Sequence, residues 1–199
     1  SLLVGVVAVT IGACIGVPVG LVAGYYGGWW DTVLMRIIDV LLAFPGMLLA
    51  LAIVSALGPS LFNVMLAVGI FSIPTFARLV RGSTLAVKKL EYVDAIRALG
   101  AGDGRILFIH ILPNVLSPII VQGTLRLATA ILTAAGLSFL GMGAQPPSAE
   151  WGAMLSSGRD FIFSAPYVAI FPGLAIAFLV IGFNLFGDGL RDALDQRMG

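Results

Sequence analysis

Apolar residues dominate this chain in five long runs, and the polar residues gather between them. The runs cover Leu2–Gly24, about Thr32–Leu57, about Leu61–Leu79, about Asn114–Leu140 and about Pro166–Gly187. Each reaches the roughly 20 residues that a helix needs to cross a bilayer. Backbone groups in lipid must bond internally, so the pattern predicts helices rather than open strands. Pro18, Pro45, Pro74, Pro118 and Pro172 fall within or near these runs and are expected to kink them. One polar island stands out, Glu91 to Pro113 (EYVDAIRALGAGDGRILFIHILP), with Lys88 and Lys89 just before it.

Within the island, residues 84–99 are predicted to form an amphipathic helix. At about 100° per residue, Leu85, Tyr92, Ile96 and Leu99 share one face, and Glu91, Asp94 and Arg97 spread over the other. Gly100 stands where a left-handed helix cap belongs, and Gly102 and Gly104 loosen the next turn. Asp103 is expected to cap a second short helix, Arg105 to Ile111, and Pro113 to open the fourth span. The pattern alone suits two roles: a surface helix anchoring a loop in the interface, or a docking element for a soluble partner.

Composition sharpens the class. Of 199 residues, 59% are hydrophobic and 11% charged, with mean hydropathy +1.07. Soluble domains carry about a quarter charged residues, so this is a membrane protein. A net charge of +1 gives no electrostatic case for nucleic acid. Cys14 is the single cysteine and His110 the single histidine, too few for a disulfide or a metal cluster. The chain starts at Ser1 without Met and enters an apolar run at once. That run is too long for a signal-peptide core, and the chain reads as a piece of a longer protein lacking its N-terminal segment.

Basic residues set the expected topology. Arg36, Arg78, Arg81, Lys88, Lys89, Arg97, Arg105, Arg191 and Arg197 all fall on one side if the loop after the third span is cytoplasmic. Only Arg159 is then clearly outside, as the positive-inside rule requires. The 84–113 loop and the C-terminus are thus expected to be cytoplasmic, and 141–165 extracytoplasmic.

Residues 94–113 carry a recognisable spacing: Asp94-Ala95-Ile96, three residues, Gly100, nine residues, then His110-Ile111-Leu112-Pro113. This resembles the EAA loop of ABC transporter permeases, with Asp94, Ile96 and His110 as departures. GLVAGYYGGWWDTVLMRIIDVLLAFP (20–45), ARLVRG (77–82), LSFLGMGAQPP (137–147), WGAML (151–155) and FNLFGDGLRDALD (183–195) are similar to the dipeptide, oligopeptide and nickel branch, C-type subunit. Ala134 stands where relatives often carry Glu.

The resemblance implies an all-α membrane protein, a polytopic bundle of the ABC importer permease (MetI-like) type, over 1–199 as one transmembrane domain. It implies a second permease subunit as dimer partner, two cytoplasmic ATPases and an extracytoplasmic binding protein, in a bacterial plasma membrane. Glu91, Asp94, Ala95, Arg97, Gly100, Leu112 and Pro113 would couple to an ATPase. The chain has no Walker A motif, so no cofactor is expected on it, ATP is left to the partners, and it is not itself an enzyme. Short peptides are the favoured cargo, with nickel or another small solute as the alternative. A channel or secondary transporter would need its own intramembrane ion site. An intramembrane enzyme would need paired catalytic groups.

Other residues divide between two uses. Arg126, inside the fourth span, either pairs within the bundle or lines the translocation path. Arg36 and Asp39 are expected to form an ion pair on the helix surface. Tyr25, Tyr26, Trp29 and Trp30 are expected to form an interfacial aromatic belt. Glu150, Trp151, Arg159 and Asp160 mark the 141–165 segment as either a binding-protein contact or a cap on the bundle.

Overall fold

The structure, a computed structural model, describes residues 1–145 and 147–195. Pro146, in one of the matched motifs, and Arg197, counted for topology, lie outside the described residues. Among those described there is no strand. The helices run α1 (Leu2–Tyr26), α2 (Gly28–Ala43), α3 (Gly46–Leu57), α4 (Leu61–Lys88), α5 (Glu91–Ala98), α6 (Asp103–Arg105), α7 (Leu112–Phe139), α8 (Trp151–Gly158) and α9 (Tyr167–Asp195). A π-helical stretch, Ile106–Ile111, joins α6 to α7.

Among the described residues four spans are long and apolar enough to cross a membrane: α1, α4, the continuous 103–139 segment, and α9. The second predicted span is not one helix. It breaks between α2 and α3, which meet at 87°. Phe44, before Pro45, is extended (φ −89°, ψ 135°), as the proline ring requires of its predecessor. Pro18, Pro74, Pro118 and Pro172 stay inside helices instead.

The core is the α1–α4 pair, with α7 and α3 packed against it. Glycines four residues apart make this closeness possible. A Cβ at Gly16 would lie 2.7 Å from the Ile73 carbonyl oxygen, and one at Gly20 2.5 Å from that of Ala77. Small residues at such contacts let backbones approach where lipid supplies no hydrophobic drive. Much of the remaining apolar surface is exposed, including Phe178 at 70% and Leu185 at 67% on α9.

The ends of the bundle are distinct. At one end Ser1 donates to Glu150 at 2.7 Å, beside α8. At the other, Tyr25 donates to Asp103 at 2.7 Å, beside α5 and α6. The segment 141–165 and the 89–105 loop therefore lie at opposite ends of the spans.

Candidate functional site: the capped loop helix

The loop is built differently from the sequence expectation. Residues 84–99 are not one helix: α4 continues to Lys88, Leu90 is extended, and α5 starts at Glu91. The buried side of α5 is also different. Val93 is fully buried and packs with Val80, Ile106, Ile111 and Val115, with Ile96 beside them. Leu99, assigned to the apolar face, is 87% exposed. The turn before α5 rotates the helix, so burial follows Val93 and Ile96.

Gly100 ends α5 in the left-handed region, at φ 84°. Its N–H donates to the Arg97 carbonyl at 3.0 Å, and the Ala101 N–H donates to Ile96 at 3.3 Å. This pair of bonds is a Schellman cap, closed by contact between residues like Ile96 and Ala101. Both pack on the same apolar cluster.

Two tyrosines hold the loop to the spans. Tyr25, 4% exposed, donates to Asp103, and its ring lies 5.5 Å from Lys88 Nζ and 6.0 Å from the Arg97 guanidinium carbon. Lys88 also donates to the Tyr25 carbonyl at 2.5 Å. Asp103 is thus a tether, and its side chain does not cap α6, whose N-cap is Gly102. Tyr25 leaves the expected aromatic belt, while Trp29 and Trp30 remain exposed at 67% and 52%. The second tyrosine, Tyr92, donates to the His110 carbonyl at 3.2 Å. Asn114 Nδ2 donates to that same carbonyl at 2.6 Å and to the Tyr92 hydroxyl at 3.1 Å. Pro113 lacks an N–H, and the chain enters α7 through the π-helical stretch, where these side chains satisfy His110.

What stays exposed is a compact surface: Glu91, Asp94, Ala95, Arg97, Leu99 and Gly100. Arg97 pairs with Asp94 at 3.0 Å, one turn apart. The nearby Tyr25 hydroxyl, with lesser help from Asp94 and Asp103, holds the Arg97 guanidinium above its ordinary pKa. Pro113 is exposed, and Leu112 is half-buried at the root of α7, packed on the same apolar cluster as Val93.

Residues 16–199 match the family described as the binding-protein-dependent transport system inner membrane component. The chain belongs to this permease family. The family is one of inner-membrane transport permeases, and the long apolar helices of this chain suit a multi-pass place in that membrane. The permease is similar over its whole length to the glutathione transport system permease protein GsiD of Pectobacterium atrosepticum, at 57% identity, and of Escherichia coli, at 58%. It spans 66% and 65% of those proteins' lengths, respectively. Solved structures share the fold. Inward-facing forms of the MetNI methionine ABC transporter superpose with TM-scores of 0.75 and 0.73 at 21% identity, covering 96% of the permease and 91% of that chain.

The remaining sequence-predicted residues scatter. Arg126 donates to Thr75 and lies 5.7 Å over the Phe71 ring, tying α7 to α4. Asp39 pairs with Arg78 of α4 at 2.6 Å, so the expected Arg36–Asp39 pair is replaced by a contact between helices. Glu150 is 3% exposed and caps α8 by accepting from the Ala153 N–H at 2.9 Å. Trp151 is half-buried, and Arg159 and Asp160 are exposed, 3.7 Å apart. Among the described residues no group of three or more His, Cys, Asp or Glu could hold a metal.

Proposed function

We propose that this permease forms half of an ABC importer's translocation pathway and couples to a cytoplasmic ATPase through α5. The observation that carries this reading is the helix's construction: capped at Gly100, anchored by Val93, tethered through Tyr25 and Tyr92, and open on its outer face. A part that transmits force must resist bending and present charge and shape to its partner. Glu91, Asp94, Ala95 and Arg97 supply that surface, Gly100 fixes the turn, and Leu112 and Pro113 join the loop to α7.

Closure of an ATPase pair on ATP would then move α5, α4 and α7 together, a rigid-body switch biased by ligand. The partners on this reading are a second, different permease subunit, two ATPases that bind the ATP, and an extracytoplasmic binding protein. The loop and C-terminus face the cytoplasm. Residues 141–165 face outward, where exposed Arg159 and Asp160, with Trp151 at the other end of α8, receive the binding protein. Glu150 serves that surface from beneath, by capping α8. Arg126 serves the bundle through Thr75 and Phe71.

The relatives named for glutathione transport support cargo of the short-peptide class, a tripeptide included. The test is purification of the full-length subunit from its membrane, with assay of ATP-dependent uptake. Co-purification of ATPases, with uptake abolished in Gly100→Asp while membrane insertion persists, is the expected result. Normal uptake in Gly100→Asp rejects the coupling role.

A further inference from the structure

Between α2 and α4 lies a cavity of 520 Å³ lined by Asp31, Thr32, Met35, Arg36, Asp39, Arg78 and Arg81. Its lining is unusual for a chain with 11% charged residues. Three guanidinium groups and two carboxylates share one opening. Arg81 grips Asp31 with two hydrogen bonds, at 2.5 and 2.6 Å. Arg78 holds Asp39 at 2.6 Å. Arg36 is exposed and makes no ion pair among the described residues.

Position makes this informative. Trp29 and Trp30 are exposed at the start of α2, and such residues sit at the membrane–water boundary. From Asp31 the helix carries the cavity inward for eight residues to Asp39, about 12 Å at 1.5 Å per residue. Charges at such depth are expensive against lipid chains, so they face a water-filled space or each other. The face opposite the cavity is apolar, with Ile37 57% exposed. Lipid therefore suits the Ile37 side and water the Arg36 side.

We infer that this cavity is part of the water-filled inner mouth of the translocation path, where free Arg36 contacts the carboxylate of a zwitterionic peptide. The inference rests on the permease reading above and assigns the path to the α2–α4 face. Charge of both signs favours this cargo over an anionic lipid headgroup. The two carboxylates, held by Arg81 and Arg78, leave Arg36 as the one unpaired cation of the lining among the described residues, a match for a single peptide carboxylate and a weak draw for an anionic headgroup. The cavity's volume also admits a tripeptide.

The test uses the full-length transporter with all partners, carrying Cys14→Ser as parent. Single cysteines are added by Arg36→Cys, Thr32→Cys and Ile37→Cys. Each is treated with an anionic, water-soluble methanethiosulfonate, with and without millimolar S-methylglutathione or trialanine, neither of which bears a thiol. The expected result is rapid labelling at 36 and 32 and none at 37, with peptide slowing the reaction severalfold at 32, where Arg36 is kept, and less at 36, where it is lost. Thr32→Cys carries the test if Arg36→Cys fails to assemble. Unreactive cysteines at 32 and 36 in a parent active in ATP-dependent uptake overturn the inference. So does labelling that peptide leaves unchanged but added anionic phospholipid slows. A parent that shows no ATP-dependent uptake counts against the importer reading itself, since the labelling is scored separately.

Discussion

The Tyr25 hydroxyl donates to Asp103 at 2.7 Å, joining residues 78 positions apart in the chain. It fixes the loop that carries α5 to the end of α1, the helix most closely packed on α4. The bond thereby ties the loop to the two helices at the centre of the bundle.

Removing that hydroxyl should loosen the loop without unfolding the spans. A hydrogen bond to a charged group contributes about 1.5 kcal/mol, roughly a tenfold change in local opening. Tyr25→Phe is expected to speed amide exchange across residues 99–105 about tenfold, with exchange in α1 and α4 unchanged. Unaltered exchange in the loop would show that Asp103 is held by something other than Tyr25.

Three glycines should respond in three ways to alanine. Gly100 has open space but a left-handed φ of 84°, so Gly100→Ala costs about 1 kcal/mol through backbone strain. Gly82 is helical with open space around it, so Gly82→Ala is neutral or stabilises by about 0.5 kcal/mol. At Gly20 the new Cβ meets the Ala77 backbone, so Gly20→Ala forces α1 from α4 and costs about 2 kcal/mol or more. Thermal unfolding of the purified protein gives the order Gly82→Ala, Gly100→Ala, Gly20→Ala from most to least stable.

Buried and exposed charges in the segment 141–165 should respond differently to removal. Glu150 is buried and caps α8. Glu150→Ala should therefore lower stability by about 1 kcal/mol. Arg159 and Asp160 are exposed, so Arg159→Ala and Asp160→Ala should leave the melting temperature alone and weaken association with the binding protein. Calorimetry and a pull-down read the two effects apart. Equal affinity in all three variants would leave 141–165 as a cap only.

The five apolar runs were readable because lipid imposes a length and tolerates few charges. The break at Pro45 was not, since five prolines look alike in sequence. The difference is tertiary: Gly46 starts α3 against the Phe71 ring, where a Cβ would lie 1.9 Å from Phe71 Cε2. Gly100 was readable because a left-handed cap excludes side chains. The partners of Asp39 and Tyr25 were hidden for the opposite reason. Arg36 is near Asp39 in sequence, yet α4 brings Arg78 across. Tyr25 stood among aromatic residues suited to an interface, and only the fold sets it against Asp103. Val93 was obscured because the turn at Leu90 resets the helix phase.

The central claim is that the outer face of α5 seats in an ATPase subunit. The most direct test is cross-linking in native membranes, with Leu99→Cys on a Cys14→Ser background and a short bifunctional reagent. Leu99 is the most exposed large apolar residue of the loop, at 87%. The account predicts a product joining this permease to an ATPase, its yield altered by ATP. Retention of the ATPase with no cross-link at 99, while a cysteine elsewhere on the same end of the bundle does cross-link, would contradict it.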